Sequence, residues 1–294
     1  MMPNLSPRPE WLRTKIPGLV SNSKVFQDIR ERALCTVCVE AHCPNQPTCF
    51  GNGIATFMLL GPSCTRRCTF CAVEKKAAAA VDPEEPHRIA AAVAEMGFKY
   101  CVLTMVTRDD LPDGGALHIV RTVEALRNMS PEIQIELLIS DLGGNRNALD
   151  IILDAAPAVL NHNIETAPRL YREVRPQADY QRSLSLLSHA SDHASSPVTK
   201  SGIMVGLGES KKEILQTMDD LCECECQLLT IGQYLAPSRQ HYPVVRYVTP
   251  EEFAEYEDEA LKRGFKAAAI APLVRSSYRA DELYRSAAAG KASY

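Results

Sequence analysis

The sequence predicts an α/β protein built on a parallel sheet, on three observations. From about Ile54 onward, short apolar runs alternate with longer amphipathic segments. Each apolar run is followed by polar or glycine-rich residues. The 294 residues, 46% hydrophobic and 23% charged, are enough for a single barrel of about 200 to 250 residues plus terminal pieces. Parallel strands joined by crossover helices bury both sheet faces, so this grammar fits either a closed barrel or a doubly wound sheet. In both architectures function sits at the C-terminal strand ends.

Residues 1 to about 50 lack sheet periodicity. Pro3, Pro7, Pro9, Pro17, Pro44 and Pro47 punctuate an irregular extension with one helix near Lys24 to Leu34. Six strands follow: Ile54 to Leu60, Tyr100 to Met105, Ile133 to Ile139, Val159 to His162, Gly202 to Val205 and Leu228 to Ile231. Helices are expected at Pro86 to Met96, Leu117 to Arg127, Ala148 to Ala155, Tyr180 to Leu187, Lys211 to Leu221 and Pro250 to Lys262. Thr249 is placed to cap the last of these, with Pro250 as its first helical residue. A further short run, Ala267 to Pro272, leads into a polar C-terminal tail, and no repeat of 20 to 50 residues is present.

A formal charge of -4 and a pI near 6.0 give no basic field of the kind that binds nucleic acid. No stretch reaches the ~18 to 20 apolar residues of a membrane span, since Ile89 to Ala94 is bounded by Arg88 and Glu95. Met1 to Leu19 lacks the apolar core of a secretory signal, so a cytoplasmic location is expected. Seven of the eleven cysteines lie between Cys35 and Cys71, a density that in a reducing compartment points to metal or redox chemistry rather than disulfides.

Cys64, Cys68 and Cys71 form a C-x3-C-x2-C triad directly after the first predicted strand. Three sulfurs leave a fourth coordination position unfilled. Structural zinc sites usually need four protein ligands, and no second C-x2-C pair follows at suitable spacing. An iron-sulfur cluster on three thiolates instead exposes one iron to a substrate or cofactor. The competing readings are buried thiols grouped by chance, or a zinc site completed elsewhere. Cys38, Cys43 and Cys49 form a second triad in a proline-pinned loop, read as a second cluster, with zinc completed by His42 as the alternative.

Other motifs are weaker. Gly206-Leu-Gly208-Glu209 follows the fifth strand, where its N–H groups are placed to meet a polar ligand, or simply to turn the chain. Asn161, Asn163 and Glu165 follow the fourth strand, with His162 between them as packed structure. Arg108, Asp109 and Asp110 form a charged loop after the second strand. Cys222, Cys224 and Cys226, like Cys35 and Cys101, read as buried or incidental thiols.

The Cys64 triad, with Phe70 just before its last cysteine, resembles the signature of the radical S-adenosylmethionine enzymes. Over nearly the whole chain the sequence resembles the lipoyl synthase family: Pro9 to Arg13, both triads, Arg108 to Gly115, Asn161 to Thr166, Arg172 to Pro176, Thr199 to Glu209, Thr230 to Leu235, Arg246 to Pro250 and Arg275-Ser-Ser-Tyr278. The resemblance implies a partial (β/α)6 TIM-type barrel over 54–265, an N-terminal extension (1–53) carrying auxiliary cluster ligands, and a C-terminal segment (266–294) reaching back to them. It implies two 4Fe-4S clusters. Cys64, Cys68 and Cys71 would hold the one that binds and cleaves S-adenosyl-L-methionine. Cys38, Cys43, Cys49 and Ser277, with Ser276 as the less favoured neighbour, would hold the auxiliary one. Phe70, Asn163, Glu165, Lys200, Gly206, Gly208 and Arg275 are the implied cofactor-binding residues.

The implied reaction inserts sulfur at C6 and C8 of an octanoyl chain on a lysine of a lipoyl carrier domain, each C–H bond requiring one deoxyadenosyl radical. The auxiliary cluster is the sulfur donor. Implied partners are the E2 subunits of 2-oxoacid dehydrogenases, the glycine cleavage H protein, a ferredoxin or flavodoxin as reductant, and an iron-sulfur carrier. Two other readings remain at this point: a different radical sulfur-inserting or methylthio-type enzyme, and a zinc-binding structural protein. One local departure from the family pattern is Ser140-Asp-Leu-Gly-Gly144, where relatives usually carry Pro-Asp-Phe followed by Arg-Gly.

Overall fold

Seven parallel strands lie side by side in the order of the chain in a computed structural model that describes residues 8–12, 24–51 and 54–289. They are β1 (Thr56–Leu59), β2 (Tyr100–Met105), β3 (Gln134–Leu138), β4 (Val159–Asn161), β5 (Val198–Val205), β6 (Leu228–Gln233) and β7 (Ala267–Ile270). A doubly wound sheet would reverse strand order partway across. Sequential order with crossover helices is the winding of an α/β barrel, and β1 is not paired with β7. Those helices are α4 (Glu85–Met96), α5 (Ala116–Met129), α6 (Arg146–Asp154), α7 (Tyr171–Val174), α8 (Tyr180–Asp192), α9 (Lys211–Glu223) and α10 (Pro250–Lys262). Preceding them are α1 (Lys24–Glu31), α2 (Val37–Glu40) and α3 (Gln46–Gly51), and α11 (Ala280–Ala288) closes the described chain. Pro3, Pro7, Pro17 and Arg13 of the sequence reading lie outside the described residues. Among the described residues no helix is long and apolar enough to cross a membrane.

The expected count of six strands is one short. Ala267-Ala-Ala-Ile270 pairs with Leu228 to Ile231 of β6 along its length. Alanine has little intrinsic strand preference, so the run carries no sheet signal of its own. Its value is its small size. Ala267 and Ala269 share a packed cluster with Leu228, Val274 and Leu283, so the chain after β7 lies close against the sheet. The expected polar tail is likewise a helix: α11 buries Leu283 and sets Tyr284 against Tyr100 of β2, ring centroids 5.9 Å apart.

The N-terminal extension contains two short helices beyond the expected one, and it is not a separate lobe. The Met58 N–H donates to the Cys35 carbonyl at 2.9 Å, Thr36 bridges Phe57, and Ile29 and Phe50 join the core cluster of Phe57 and Ile89.

Strand alternation sends Leu103, Leu137 and Leu160 toward the helices. The opposite face carries a fully buried ion pair. Lys200 Nζ lies 2.9 and 3.2 Å from the two carboxylate oxygens of Glu136, which also accept from Tyr100 at 2.7 Å and Asn161 at 2.9 Å. Lys200, read from sequence as a cofactor contact, is thereby engaged by Glu136 within the sheet, with no exposed side-chain surface on either partner. Removing one partner of such a pair leaves a buried charge uncompensated. Lys200→Met is expected to cost about 3 to 5 kcal/mol of stability by denaturant unfolding, and Lys200→Met with Glu136→Leu to recover most of it. Equal losses in the single and double variants would disprove the pairing.

Candidate active site at the strand C-termini

The Cys64 triad follows the end of β1, and Cys38 of the second triad lies against Thr56 at its start. The Cys64 loop leaves β1 through two left-handed residues, Leu60 and Gly61. Its far half is pinned by backbone bonds: Thr69 N–H donates to the Val174 carbonyl at 3.0 Å and Tyr242 N–H to the Thr69 carbonyl at 2.9 Å. His241 Nε2 lies 3.2 Å from the carbonyl oxygen of Cys71. Cys64 and Cys68 lie close enough for their charges to raise the Cys71 thiol, but burial is the larger cause, pushing it to about 12. Burial also raises Cys68, against the lowering influence of Arg175.

The second triad repeats this environment. Burial pushes Cys38 to about 11 and Cys49 to about 12, and each feels the charge of other members of its own triad. Among the described residues no three His, Cys, Asp or Glu groups converge tightly enough for one metal ion. Within each triad the thiols still lie near enough to feel one another's charge. The donor set fits an iron-sulfur core: thiols that burial keeps protonated become good ligands only where a metal's positive charge stabilises the thiolate.

Asn163 and Glu165 lie beside the Cys64 triad. Glu165 is held at φ 67°, in the left-handed region that a non-glycine residue enters at a cost. Two backbone bonds to β5 fix it there: its N–H donates to the Gly202 carbonyl at 2.9 Å, and Met204 N–H donates to its own carbonyl at 2.7 Å. Burial raises its carboxyl, with Arg175 acting in the opposite sense. Asn163 Nδ2 donates to Glu165 at 3.1 Å and to Ser276 Oγ at 2.8 Å, while its buried Oδ1 has no partner among the described residues. Arg175 Nη1 bonds the carbonyl of Asn163 and the hydroxyl of Tyr171, leaving a buried Nε without a partner among the described residues. Sequence reading quoted Arg175 only within a longer matching segment and gave it no role.

The Gly206 turn differs from its reading as a ligand cradle. The N–H groups of Gly206 and Leu207 are taken by the carboxylate of Glu209, at 2.6 and 2.9 Å. Gly206, at φ 99°, is required for another reason: an added Cβ would fall within 3.0 Å of Gln233 Nε2 and of the Arg246 carbonyl. Gly208 is also left-handed, at φ 108°. Phe70 packs with Leu170, Val174 and Leu207 beside this turn.

The C-terminal segment passes between the two triads. Asn45, between Cys43 and Cys49, donates to the Leu273 carbonyl at 2.6 Å. Sequence places Arg275 beside the serine as a contact for the S-adenosylmethionine carboxylate or the substrate amide. The structure sets its guanidinium, lowered by burial, within the electrostatic reach of Cys43. Ser276 accepts from Asn163, whereas the Ser277 hydroxyl makes no hydrogen bond among the described residues. Gly232 makes this passage possible, because a Cβ there would fall inside contact distance of the Val274 carbonyl. A glycine inside a strand is a sequence signal for such close approach. Asn45 offered no comparable signal.

The Cys222 group lies apart. Cys226 is buried just before β6 with Sγ 3.5 Å from the Leu228 carbonyl, and Cys222 contacts the Arg263 carbonyl. Both belong to the N-terminal end of β6, opposite the functional end.

Residues 58–221 match the model of the Radical SAM superfamily. The chain is 50% identical to the lipoyl synthase of Roseiflexus sp. (strain RS-1) over 277 residues, 94% of this chain and 92% of that protein. The chain belongs to the lipoyl synthase family. The lipoyl synthase of Desulfotalea psychrophila is 50% identical over 280 residues, covering 95% of this chain and 94% of the relative. Among solved structures, methylornithine synthase (PylB) superposes with a TM-score of 0.56 at 12% identity over 80% of this chain and 68% of its own. HydG, a maturase of the [FeFe]-hydrogenase, gives 0.54 at 14% identity over 79% of this chain and 62% of its own. At such identities these two likenesses concern the fold alone. As a lipoyl synthase family member, the chain is a radical sulfur-inserting enzyme that uses a 4Fe-4S cluster and S-adenosylmethionine.

Two predictions follow from the site's packing. His162 is buried, its Nδ1 2.8 Å from the Ile139 carbonyl, and burial, followed by Arg175, lowers its pKa from 6.5 to about 4. The unfolded chain therefore binds more protons between these values. Acidification from pH 6.5 to 4 should remove about 3 kcal/mol of stability, and His162→Gln should flatten the denaturation profile in that window. Gly232→Ala should displace the Val274 carbonyl and speed amide hydrogen exchange over 273–279 at least tenfold, whereas parental exchange rates would show that the close approach constrains nothing.

Proposed function

We propose that the chain inserts two sulfur atoms, at C6 and C8, into an octanoyl group carried on a lysine of a lipoyl carrier domain, and that Cys38, Cys43, Cys49 and Ser277 hold a second, sulfur-donating 4Fe-4S cluster. The observation that carries this reading is the course of the C-terminal segment. Between Leu273 and Ser276 it accepts a hydrogen bond from Asn45, which lies between Cys43 and Cys49, and bonds Asn163, next to Glu165 and the Cys64 triad. A fold that lays one segment against both triads supports a reaction in which both act on one substrate.

When bound, the cluster on Cys64, Cys68 and Cys71 supplies a deoxyadenosyl radical from S-adenosylmethionine, and the second cluster supplies sulfide. The protein's part is placement and exclusion of water. Glu165 and the unpartnered oxygen of Asn163 offer acceptors to the ammonium of S-adenosylmethionine, and Arg175, with its free Nε, offers a donor to the carboxylate. Phe70, next to Cys71, packs on Leu170, Val174 and Leu207 and anchors that end of the triad's loop. Ser277 is the better fourth ligand, because the Ser276 hydroxyl is already engaged by Asn163. A hard oxygen is a weaker partner for cluster iron than a thiolate, which suits a cluster that surrenders sulfur. The carriers in this reading are E2 subunits of 2-oxoacid dehydrogenases and the glycine cleavage H protein. A ferredoxin or flavodoxin supplies electrons, an iron-sulfur carrier rebuilds the spent cluster, and the site of action is the cytoplasm.

Reconstituted protein should hold about eight irons and eight sulfides per chain. In an anaerobic assay with octanoylated carrier peptide, dithionite and S-adenosylmethionine, Cys64→Ala should abolish deoxyadenosine formation. Cys38→Ala should retain cleavage but yield no 6-thio-octanoyl or lipoyl product. Lipoyl product from both variants would refute the division of roles.

A further inference from the structure

We propose that Arg66 is a positioning residue for the Cys64 cluster, acting through a charge-balanced clasp whose buried anchor is Asp141. This deepens the radical-enzyme reading and depends only on the Cys64 cluster, not on the identity of the acyl substrate.

Arg66 lies midway between Cys64 and Cys68, yet its side chain is only 5% exposed. Its Nε and Nη2 meet the two carboxylate oxygens of Asp109 at 2.7 and 2.9 Å, and Nη2 also meets Asp141 at 2.5 Å. Asp141, on the loop after β3, has no exposed side-chain surface. Its second oxygen takes Arg182 of α8 at 3.3 Å, and its first also accepts the Gly143 N–H at 3.0 Å. Neighbouring Thr65 completes the attachment. Its N–H and hydroxyl both donate to the Thr107 carbonyl, at 3.0 and 2.9 Å, and its oxygen accepts the Asp109 N–H at 3.1 Å. The stretch between the first two thiols is thus fastened to the loops after β2 and β3 and, through Asp141, to α8.

The charges indicate what the clasp does. Arg66 and Arg182 carry two positive charges against the two carboxylates of Asp109 and Asp141, so the network sums to zero and the buried charges are compensated within it. Burial by itself would raise the Asp141 carboxyl, but Arg66 holds it at about 2. Asp141 is therefore an anion where it meets Arg66. Three thiolates from an eight-residue loop define a site only if the loop keeps its shape, because each freed residue restores backbone entropy that ligation must overcome. Bidentate arginine-carboxylate contacts fix direction as well as distance, which lysine does not reproduce.

The test uses the full-length, two-cluster protein. Reduced enzyme gives an electron paramagnetic resonance signal that S-adenosylmethionine perturbs only at the cluster with an open iron, so that component reports on the Cys64 site alone. Its rate of loss to an iron chelator is the readout. Arg66→Lys and Asp141→Asn should each accelerate that loss about tenfold with the circular dichroism parental, and in the charge-conserving Arg66→Lys the reduction midpoint should not move. The double variant should lose it no faster than either single, since the two residues act as a unit. Parental loss rates in the single variants, or a double-variant effect equal to the product of the two, would overturn the proposal. So would a displaced midpoint at parental loss rates, which would assign Arg66 an electrostatic role. Should Asp141→Asn fail to fold, Asp109→Asn at the exposed edge of the clasp carries the test, and an unchanged loss rate there is also disproof.

Discussion

A thiol sealed away from water stays protonated, and that constraint organises this molecule. Burial pushes Cys38, Cys49 and Cys71 to about 11 or 12, so none is a useful anion on its own. Thiols of this kind become good ligands only where cationic partners stabilise the thiolate. The protein supplies few of these itself: Arg175 and Arg66 ease Cys68, and Arg275 stands near Cys43. Further positive charge would come from a bound iron-sulfur cluster, and much of the surrounding architecture keeps the thiols in register.

That architecture depends on small residues. Gly232 lets the chain after β7 run against β6, and Ala267 and Ala269 leave room for Val274 and Leu283 on the same face. Without those absent side chains the segment bearing Ser276 and Ser277 would stand off from the sheet. Its contacts with Asn45 and Asn163 would then be lost together.

Much of this was legible in the sequence, and the rest was hidden for physical reasons. Tyr100 to Met105 and Pro250 to Lys262 were read to the residue, because apolar runs and a Thr-Pro start are local signals. The seventh strand was missed because alanine carries no periodicity, and α11 because its buried face is little more than Ala280 and Leu283. Cysteine spacing disclosed both triads. Lys200 and Gly206 show where sequence stops: a matching motif marks both, but their partners, Glu136 and Glu209, come from a distant strand and from a turn that folds onto itself. Arg175 and Asn45 lacked even a compositional hint.

The short loop bearing Ser277 is tethered on one side by β7 and on the other by α11. A group on so short a leash explores a small volume and remains at high effective concentration near its target, even when unbound. If Ser277 holds the second cluster, its hydroxyl would remain within reach of that site whether or not the cluster is bound. Rebuilding the site would then ask for inorganic material rather than for refolding of the polypeptide.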